Sequence, residues 1–584
     1  MKRTLLLGTL LLAACSTINP PLEPVHVVLV GTTDVHGWYA GHVETPEGGG
    51  EPVRYGGVAT LAAYVDALRA ATGDNVIVVD SGDMFQGTLE SNLFEGEPVV
   101  RAYNAIGYSA AAIGNHEFDY GPAGARTIAS DPGDDPLGAL KKISDLATFP
   151  LLSANMTERS TGQTPVWAKK WTMVEVDGAR IGIIGLSTPD TPNVTIALNV
   201  RTLAFGDPVA ATVEAAREAR ADGADAIVVI AHMGGRCGDI SDPADPSSCE
   251  PQQEVMEYMG RLPAGTIDAY FAGHTHSRMG HFINGVPVVQ AWPFSSDFSR
   301  VDLWVDTRAN RVQSERTVIM PPTMICAEVY SGTDRCDPRR PPADATLVPR
   351  EFEGKTITPD LIVARAVEPF LERTAAMRSE PLGVTAAETI TRNYRSESAL
   401  GNLFTDTMRE AFGTDFSVMN SGGIRANLRA GDLVYADIFQ VSPFDNYPTV
   451  VTMTGAQIRE MLRVFAGSGR GVMQVSGLRY TFDAAMHQEK PPAQRDNLIS
   501  VTTDQGLPLD PARTYTVVMP DFLAYGGDGL ESVMTAVPAE RKRFHQEQPM
   551  RDVFAAVLKK RAVPVTPRLE GRITILNERP ATGD

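Results

Sequence analysis

The fold of this chain is decided at the stretch Gly114-Asn115-His116-Glu117-Phe118-Asp119-Tyr120-Gly121. It follows Ala110-Ala111-Ala112-Ile113, a short apolar run that predicts a buried strand. A strand that ends in polar side chains delivers them to the rim of a sheet, where sites are commonly built. Asn115 offers an oxygen ligand, His116 offers a nitrogen ligand or a proton, and Asp119 can hold that imidazole in one tautomer. A polar turn that caps a helix is equally compatible with this stretch taken alone.

Four other predicted strands are also followed directly by Asp, Asn or His. All five strands are predicted at residues 25–30, 75–79, 110–113, 226–231 and 268–272. Helical patterns such as residues 208–221 lie between them, which is typical of an α/β domain. The polar residues at the strand ends are Asp34, His36, Asp83, Asn115, His116, His232, His274 and His276. Because five predicted strands would bring such side chains to one edge of the sheet, we expect a functional site there.

These histidines, aspartates and the asparagine can hold two divalent ions, with Asp83 as the natural bridging carboxylate. Two ions about 3.5–4 Å apart lower the pKa of a bound water and grip both oxygens of an in-line displacement. Mixed nitrogen and oxygen ligands suit Zn²⁺ or Mn²⁺ better than Mg²⁺ or Ca²⁺. Any single histidine has a structural role as its alternative. The His274-x-His276 pair, the Asp34-x-His36 pair and the strand-end placement together argue against that alternative.

Length and charge limit the function classes. With 584 residues the chain is too long for one core, so two large domains are expected. The net charge of −19 argues against binding to a nucleic-acid polymer or to an anionic lipid surface. A proline-rich, irregular stretch at residues 338–349 places the domains at residues 25–340 and 381–577. The linker between them, residues 341–380, contains a predicted helix that Pro369 kinks or interrupts.

The first 15 residues predict a targeting segment. Lys2 and Arg3 precede an apolar run at residues 5–12 that is too short to span a bilayer. Leu12-Ala13-Ala14-Cys15 resembles a bacterial lipobox, which implies cleavage before Cys15 and its acylation. The alternative is an ordinary cleaved signal. We therefore expect an exported protein of the bacterial cell envelope, lipid-anchored on the periplasmic or outer-membrane face, with no obligate protein partner evident.

Export makes the four remaining cysteines candidates for disulfides. Cys237 and Cys249 lie in one polar loop, and Cys326 and Cys336 lie in another. Local pairing is therefore expected, and each small closed loop is worth roughly 3 kcal/mol in the chain-entropy model. Free thiols are one alternative. Metal binding is a weaker one, because no pair has the CxxC spacing.

The strand-end motifs resemble a known family. The motifs that resemble the calcineurin-like metallophosphoesterases are Asp34-x-His36, Gly82-Asp83, Gly114-Asn115-His116-Glu117, His232 and Gly273-His274-x-His276. The longer stretches 80–87 and 114–121 resemble the exported bacterial 5′-nucleotidase family, which also includes UDP-sugar hydrolases and cyclic-nucleotide phosphodiesterases. The resemblance covers residues 25–577. It implies a four-layer α/β/β/α sandwich followed by a separate α/β (α+β) nucleotide-binding domain.

The resemblance also implies roles for the site residues. One ion would be held by Asp34, His36, Asp83 and His276, and the other by Asp83, Asn115, His232 and His274. Several relatives have Gln or Asn in place of His276, which leaves the metal identity open between Zn²⁺ and Mn²⁺. His116, oriented by Asp119, would stabilise the transferring phosphoryl group or the leaving oxygen.

The second half resembles the nucleotide-binding domain of the same family. The matching stretches are Asn420-Ser421-Gly422-Gly423-Ile424-Arg425, Ser442-Pro443-Phe444-Asp445-Asn446 and residues 522–529. They imply that Phe444 and Phe522 sandwich the base, and that Asp528 accepts hydrogen bonds from the ribose. By the same resemblance Arg425 would face the phosphate, while Asn420 and Asn446 would read base edges. The family also has arginines before its Leu-Gly-Asn segment, where this chain has Arg392 and Arg395. Core aromatics and a surface arginine are the alternative for any one of these residues.

Together these motifs predict a two-metal phosphohydrolase that acts on nucleoside 5′-monophosphates. A 2′,3′-cyclic-nucleotide 2′-phosphodiesterase with 3′-nucleotidase activity is one alternative, and a UDP-sugar or dinucleotide hydrolase is another. These activities share their chemistry and differ in a pocket that is shaped by loops. The non-enzymatic alternative is a nucleotide-binding surface lipoprotein that has lost catalysis.

Overall fold

The computed structural model describes residues 23–577 except 47–48, 125–126, 130–132, 344, 469, 487–489, 491–493, 562–563 and 567. The predicted signal segment 1–15 and its Cys15 lie outside the described residues. Within residues 23–577, no described helix combines the length and the apolar character that crossing a membrane requires.

Two sheets packed face to face form the centre of the first domain. The seven-stranded sheet contains Arg311–Val312, Asp297–Asp306, Val25–Thr32, Val76–Asp80, Ala110–Ala112 and Leu151–Leu152 in that order, with Val318–Met324 also paired to Asp297–Asp306. The six-stranded sheet contains Met279–Ile283, Val286–Gln290, Ala269–Phe271, Ala226–His232, Ala179–Ser187 and Trp171–Val176. Apolar side chains such as Leu29, Val79, Val228 and Phe271 are buried between the sheets.

Helices cover both outer faces of this pair of sheets. Val58–Thr72, Glu97–Ile106 and Gly138–Leu146 pack on the seven-stranded sheet, and Pro208–Ala221 and Glu254–Arg261 pack on the six-stranded one. The layers are therefore α/β/β/α, as predicted. Parallel pairing joins Val25–Thr32 to Val76–Asp80 and Val76–Asp80 to Ala110–Ala112, and it also joins Ala226–His232 to Ala269–Phe271. Their carboxyl ends consequently share one edge of the domain.

The second domain is a smaller α/β unit. Its main sheet has the order Met473–Ser476, Phe416–Asn420, Thr514–Pro520, Pro448–Thr454 and Lys542–Phe544. A second sheet contains Leu498–Thr503, Leu478–Asp483 and Ile573–Leu576. Its helices of seven or more residues are Ala399–Phe412, Tyr435–Val441, Gly455–Ser468 and Met550–Leu558. This arrangement agrees with the predicted fold class.

The helix of the predicted linker packs against the first domain. The predicted helix is confirmed as Leu361–Arg378, and it runs through Pro369 without interruption, so of the two predicted effects of the proline the interruption is wrong and the kink stays a prediction. Val363, Val367 and Phe370 are buried in the same core as the helices of the seven-stranded sheet, and this packing supports the helix across the proline. The strand Leu347–Pro349, within the stretch expected to be irregular, pairs with Glu328–Tyr330.

Candidate active site

Two clusters of potential metal ligands lie at the shared edge of the first domain. In each cluster the potential ligand atoms lie within 4.8 Å of one another; the clusters are Asp34, His36 and His276, and Asp83, His232 and His274. In the first cluster His36 Nε2 is 3.0 Å from His276 Nε2. In the second, His232 Nε2 is 3.0 Å from Asp83 Oδ2 and 3.2 Å from His274 Nδ1.

Asp83 lies between the two clusters. Its Oδ2 is 3.0 Å from His232 Nε2 and 3.8 Å from His36 Nε2. Asn115 completes the second cluster, since its Oδ1 lies 3.1 Å from His232 Nε2 while its Nδ2 donates to the Val194 carbonyl at 2.9 Å. The structure thus brings all seven predicted ligands together, and their role as ligands stays a prediction.

The backbone of this site is unusual. Positive φ angles near 49–75° occur at five of the seven residues, namely Asp34, His36, Asp83, His274 and His276. Non-glycine residues rarely adopt this region, and such strain is concentrated at functional sites. The glycines of the motifs allow close approach, because a Cβ at Gly114 would stand 2.2 Å from Asp83 Oδ1 and one at Gly82 would stand 3.0 Å from His232 Nδ1.

Hydrogen bonds to neighbouring groups orient the histidines and the Asp83 backbone. His36 Nδ1 lies 2.7 Å from the Gln86 carbonyl and His232 Nδ1 lies 2.9 Å from the Ser81 carbonyl, which leaves each Nε2 facing the site. The buried Glu117 carboxylate accepts the backbone N–H groups of Asp83, Met84 and Gly114 at 2.9, 2.7 and 2.6 Å. Glu117 lies within the motif at residues 114–121, but its sequence position alone does not predict this role.

The electrostatics of the site fit divalent metals. Burial lowers the pKa of His36 and His276, and it lowers the pKa of His274 to about 3, so these imidazoles are neutral as ligands must be. Burial also acts to lower the pKa of His232, but the Asp83 carboxylate outweighs it and raises that pKa to about 10. A metal at His232 would therefore displace a proton. Imidazole nitrogens with carboxylate and amide oxygens are the donors that Zn²⁺ and Mn²⁺ accept.

His116 lies beside the metal ligands with its predicted partner. Its Nδ1 is 2.5 Å from Asp119 Oδ2, and Asp119 Oδ1 accepts the Thr195 hydroxyl at 2.8 Å. The backbone N–H of His116 donates to Asp83 Oδ1 at 2.9 Å. Burial acts to lower the pKa of His116, but the Asp119 and Asp83 carboxylates together outweigh burial and raise the pKa above its usual range. The raised pKa favours the protonated form of the His116 imidazole.

Residues of the second domain reach this site directly. Arg425 Nη2 lies 3.4 Å from His36 Nε2 and 3.5 Å from His276 Nε2. The Arg425 guanidinium lies 5.7 Å from the centre of the Phe444 ring, and that ring lies 5.2 Å from the His116 ring. The predicted phosphate contact and one predicted base contact therefore adjoin the metal ligands.

Side chains of the two domains also join beside the cleft. The carbonyl of Pro443 accepts Asn92 Nδ2 at 3.0 Å and Gln86 Nε2 at 3.4 Å. Arg470 of the second domain forms an ion pair with Asp190 of the first. None of these four polar side chains was singled out from the sequence, because no local pattern marks a contact between domains.

The other predicted substrate residues lie deeper in the second domain. Asn420 Nδ2 donates to Asp528 Oδ2 at 2.8 Å, and burial raises the pKa of Asp528 to about 6. The Phe522 ring lies over Gly527, where a Cβ would stand 2.4 Å from the ring. Asn446 is buried, and its carbonyl accepts the Met550 N–H at 2.8 Å.

The structure also shows where the predicted arginine Arg395 lies and how the four predicted disulfide cysteines pair. Arg395 lies in an exposed bend, where its backbone N–H donates to Asn393 Oδ1 at 2.9 Å. Disulfides join Cys237 to Cys249 and Cys326 to Cys336, which confirms both expected pairs.

Comparisons with known proteins agree with this architecture. The family model for calcineurin-like phosphoesterases matches residues 28–278, and that for the 5′-nucleotidase C-terminal domain matches residues 378–536. A cell wall protein of Listeria monocytogenes, Lmo0130, is 26% identical over 91% of this chain and 68% of its own length. A 5′-nucleotidase of Vibrio cholerae is 26% identical over 82% of each chain.

A solved structure gives the same result over both domains. The 5′-nucleotidase precursor from Thermus thermophilus is 27% identical and superimposes with a TM-score of 0.72, covering 95% of this chain and 100% of its own. The predicted resemblance is thereby confirmed. The chain belongs to the 5′-nucleotidase family of metal-dependent phosphoester hydrolases, in which a calcineurin-like phosphoesterase domain precedes a 5′-nucleotidase C-terminal domain.

Proposed function

We propose that this protein removes phosphate from nucleoside 5′-monophosphates with the help of two divalent ions. The observation that carries the proposal is the position of Asp83 between two ligand clusters, with Arg425 and Phe444 of the second domain against them. Metal chemistry and nucleotide recognition thus meet in one cleft. The names of the Vibrio and Thermus relatives support the same substrate class.

Two ions of the Zn²⁺ or Mn²⁺ type, held by the seven predicted ligands, would supply a water of lowered pKa and offset charge on the exchanged oxygens. The chain's own residues do the rest. Arg425 contacts the phosphate, in keeping with its approach to His36 and His276. His116, kept protonated by Asp119, donates to the transferring phosphoryl group or to the leaving ribose oxygen.

Nucleoside recognition falls to the second domain. Phe444 and Phe522 would stack on the base, at roughly 1–3 kcal/mol per base–aromatic stack. Asp528, bonded to Asn420, would accept from the ribose hydroxyls. Asn446 would read a base edge, and Arg395 would add positive charge near the phosphate.

A substrate panel tests this function. Purified protein, without any partner chain, should be assayed with Mn²⁺ or Zn²⁺ on AMP, 2′,3′-cyclic AMP, UDP-glucose and p-nitrophenyl phosphate. We expect the highest kcat/KM for AMP, loss of activity on chelation, and recovery when Mn²⁺ or Zn²⁺ is restored. A higher kcat/KM for the cyclic nucleotide or for UDP-glucose would assign the chain to the corresponding alternative.

We also propose that the protein is exported and held at the membrane by acylated Cys15. The two disulfides support an oxidising compartment, and the Listeria relative is named as a cell wall protein. Cys15→Ser should move the protein from the membrane fraction to the soluble fraction with unchanged activity. Fractionation and the mass of the mature N-terminus measure this. A wild-type protein that is soluble and unmodified would refute the anchor.

A further inference from the structure

Tyr394 lies next to the proposed ribose site, yet no role has been given to it. Its ring lies beside two glycines, since a Cβ at Gly471 would stand 3.2 Å from the ring and a Cβ at Gly422 would stand 3.8 Å from it. The same Cβ at Gly422 would stand 3.6 Å from Asn420 Nδ2, so ring and amide flank one glycine. Because Asn420 donates to Asp528, Tyr394 adjoins the pair proposed to bind the ribose.

The backbone of Tyr394 is fixed by a hydrogen bond, and the residue stays partly accessible. The Tyr394 carbonyl accepts the Val472 N–H at 3.1 Å. The residue is 38% exposed. The ring therefore packs on glycines while part of the residue stays accessible to a ligand.

Charges of both signs act on the Tyr394 phenol. Burial raises its pKa and the Asp528 carboxylate raises it further, whereas Arg236, Arg425 and Arg395 act in the opposite sense, with a net pKa of about 12. The hydroxyl therefore keeps its proton at neutral pH and can donate a hydrogen bond. Asp528 of the proposed ribose site and Arg425 of the proposed phosphate contact thus both act on this hydroxyl.

One of these cations belongs to the first domain. Arg236 follows His232 by four residues and precedes Cys237, which is bonded to Cys249. The Gly235 carbonyl accepts the Thr275 hydroxyl at 2.8 Å, which ties this segment to the loop that carries His274 and His276. The backbone segment that carries Arg236 is thus tied to the loop of His274 and His276.

The chemistry of a nucleotide indicates which atom meets this hydroxyl. In a nucleoside 5′-monophosphate the 3′-hydroxyl is on the phosphate side of the ribose and the 2′-hydroxyl is on the base side. Building on the proposed function, we propose that Tyr394 is a specificity-determining residue whose hydroxyl hydrogen-bonds the ribose 3′-hydroxyl. The contact selects ribonucleotides and 2′-deoxynucleotides over nucleotides that lack the 3′-hydroxyl.

The test compares four substrates in the metal-loaded enzyme. They are AMP, 2′-deoxy-AMP, 3′-deoxy-AMP and p-nitrophenyl phosphate. Tyr394→Phe should lower kcat/KM about fivefold for AMP and 2′-deoxy-AMP, equivalent to about 1 kcal/mol for one neutral hydrogen bond. It should leave 3′-deoxy-AMP and p-nitrophenyl phosphate unchanged. Tyr515→Phe is the matched control, because the Tyr515 hydroxyl accepts the Asp510 N–H at 3.2 Å, and all four values should be retained.

The results separate the two claims. Equal losses of kcat/KM on all four substrates, or no loss on AMP, would overturn the role of Tyr394 and leave the proposed function standing. A wild-type enzyme without activity on AMP would overturn the proposed function, and the role of Tyr394 with it.

Discussion

The two ends of the cleft are built in different ways. At the metal end, seven side chains converge from five strand ends, and five of the seven have left-handed backbone conformations. Contacts from Glu117, Gln86 and Ser81 hold them from behind. At the nucleoside end, Phe444 and Phe522 are each half-buried, and the Asn420–Asp528 pair is joined by one hydrogen bond.

This difference indicates that the side chains at the nucleoside end are positioned by fewer contacts than those at the metal end. The predicted metal ligands are positioned by strand register, by close approach at glycines and by buried hydrogen bonds. The predicted nucleoside contacts depend on single side chains and on the position of the second domain. Damage at the metal end should therefore affect every substrate, whereas damage at the nucleoside end should depend on the substrate. Phe444 connects the two ends, because its ring lies 5.2 Å from the His116 ring.

The largest effect is expected from Asp83→Asn. The neutral amide replaces the carboxylate that lies near both His36 and His232, so both metal positions should weaken. We expect kcat/KM to fall by roughly a thousandfold or more for AMP and p-nitrophenyl phosphate alike, the scale of losing a main electrostatic contact. Kinetics and metal content per chain measure this.

A matched substitution controls for the change itself. Asp74→Asn alters an exposed residue with φ of 69°, a conformation that asparagine tolerates, and it should leave kcat/KM unchanged. Near-normal turnover by Asp83→Asn with metal supplied would remove the two-metal assignment.

Glu117→Gln should have the second largest effect. The Glu117 carboxylate accepts three backbone N–H groups around Asp83 through its two oxygens, whereas glutamine keeps one acceptor oxygen and its amide nitrogen cannot accept the remaining N–H groups. Supporting groups of this kind are typically worth 10–100-fold in metal affinity or activity. We expect a loss of about that size in apparent metal affinity, with partial recovery of activity at raised Mn²⁺.

A metal titration of activity measures the effect of Glu117→Gln. Glu214→Gln is the control, because the Glu214 side chain is 58% exposed and pairs with Lys170 at the surface. If Glu117→Gln shows the wild-type metal dependence, Glu117 does not support the site.

Local pattern was enough to predict most of the metal end. The helix predicted at residues 208–221 has the same bounds in the structure. The strand predicted at residues 226–231 is one residue longer in the structure and ends at His232. Each apolar run is followed directly in the sequence by its polar residues, so the position of these residues at strand ends could be predicted from the sequence alone. The predicted helix around Pro369 is present, but the interruption allowed for there is not, because Val367 and Phe370 are buried and support the helix.

Contacts between residues that are far apart in the sequence could not be predicted from local pattern. Glu117 lies beneath the Asp83 backbone, 34 residues away in sequence. Phe444 meets His116 from the other domain, and the Asp190–Arg470 pair forms only because the domains approach. Such contacts depend on how distant surfaces fit together, and no periodicity or motif in either surface records that fit.

Substitution of the two phenylalanines sharpens the comparison. Phe522 packs within the second domain, so Phe522→Ala should remove one stack and lower kcat/KM for AMP by roughly tenfold, within the 1–3 kcal/mol range for a base stack. p-Nitrophenyl phosphate has no base, and its hydrolysis should be unchanged. Equal losses on both substrates would mean that Phe522 holds the fold and does not contact the base.

Phe444→Ala should behave differently from Phe522→Ala. The Phe444 ring lies beside His116 and 5.7 Å from the Arg425 guanidinium, so its loss should slow p-nitrophenyl phosphate hydrolysis as well. The two single variants therefore separate base recognition from support of the catalytic residues. If Phe444→Ala affects AMP alone, the connection between the two ends of the cleft is absent in solution.

The smallest effect is expected at the Asp190–Arg470 ion pair between the domains. The two side chains are 30% and 25% exposed, and exposed pairs are typically worth about 0.2–1 kcal/mol. Arg470 also acts on Asp528, so the test should change Asp190 and leave the ribose site intact. Asp190→Asn should lower kcat/KM up to about fivefold for AMP and p-nitrophenyl phosphate alike, because the pair joins the first domain to the domain that carries Arg425, the proposed phosphate contact for both substrates.

The dependence of kcat/KM on salt concentration tests whether the Asp190–Arg470 pair acts through its charges. The wild-type advantage should shrink as ionic strength rises and screens the pair, while the variant changes less. Asp222→Asn is the control, since Asp222 forms an exposed pair with Arg180 within the first domain, and it should have no effect on kcat/KM. A loss confined to AMP would assign Asp190 to nucleoside recognition. No loss at low salt would mean that Arg425 reaches its position without this pair.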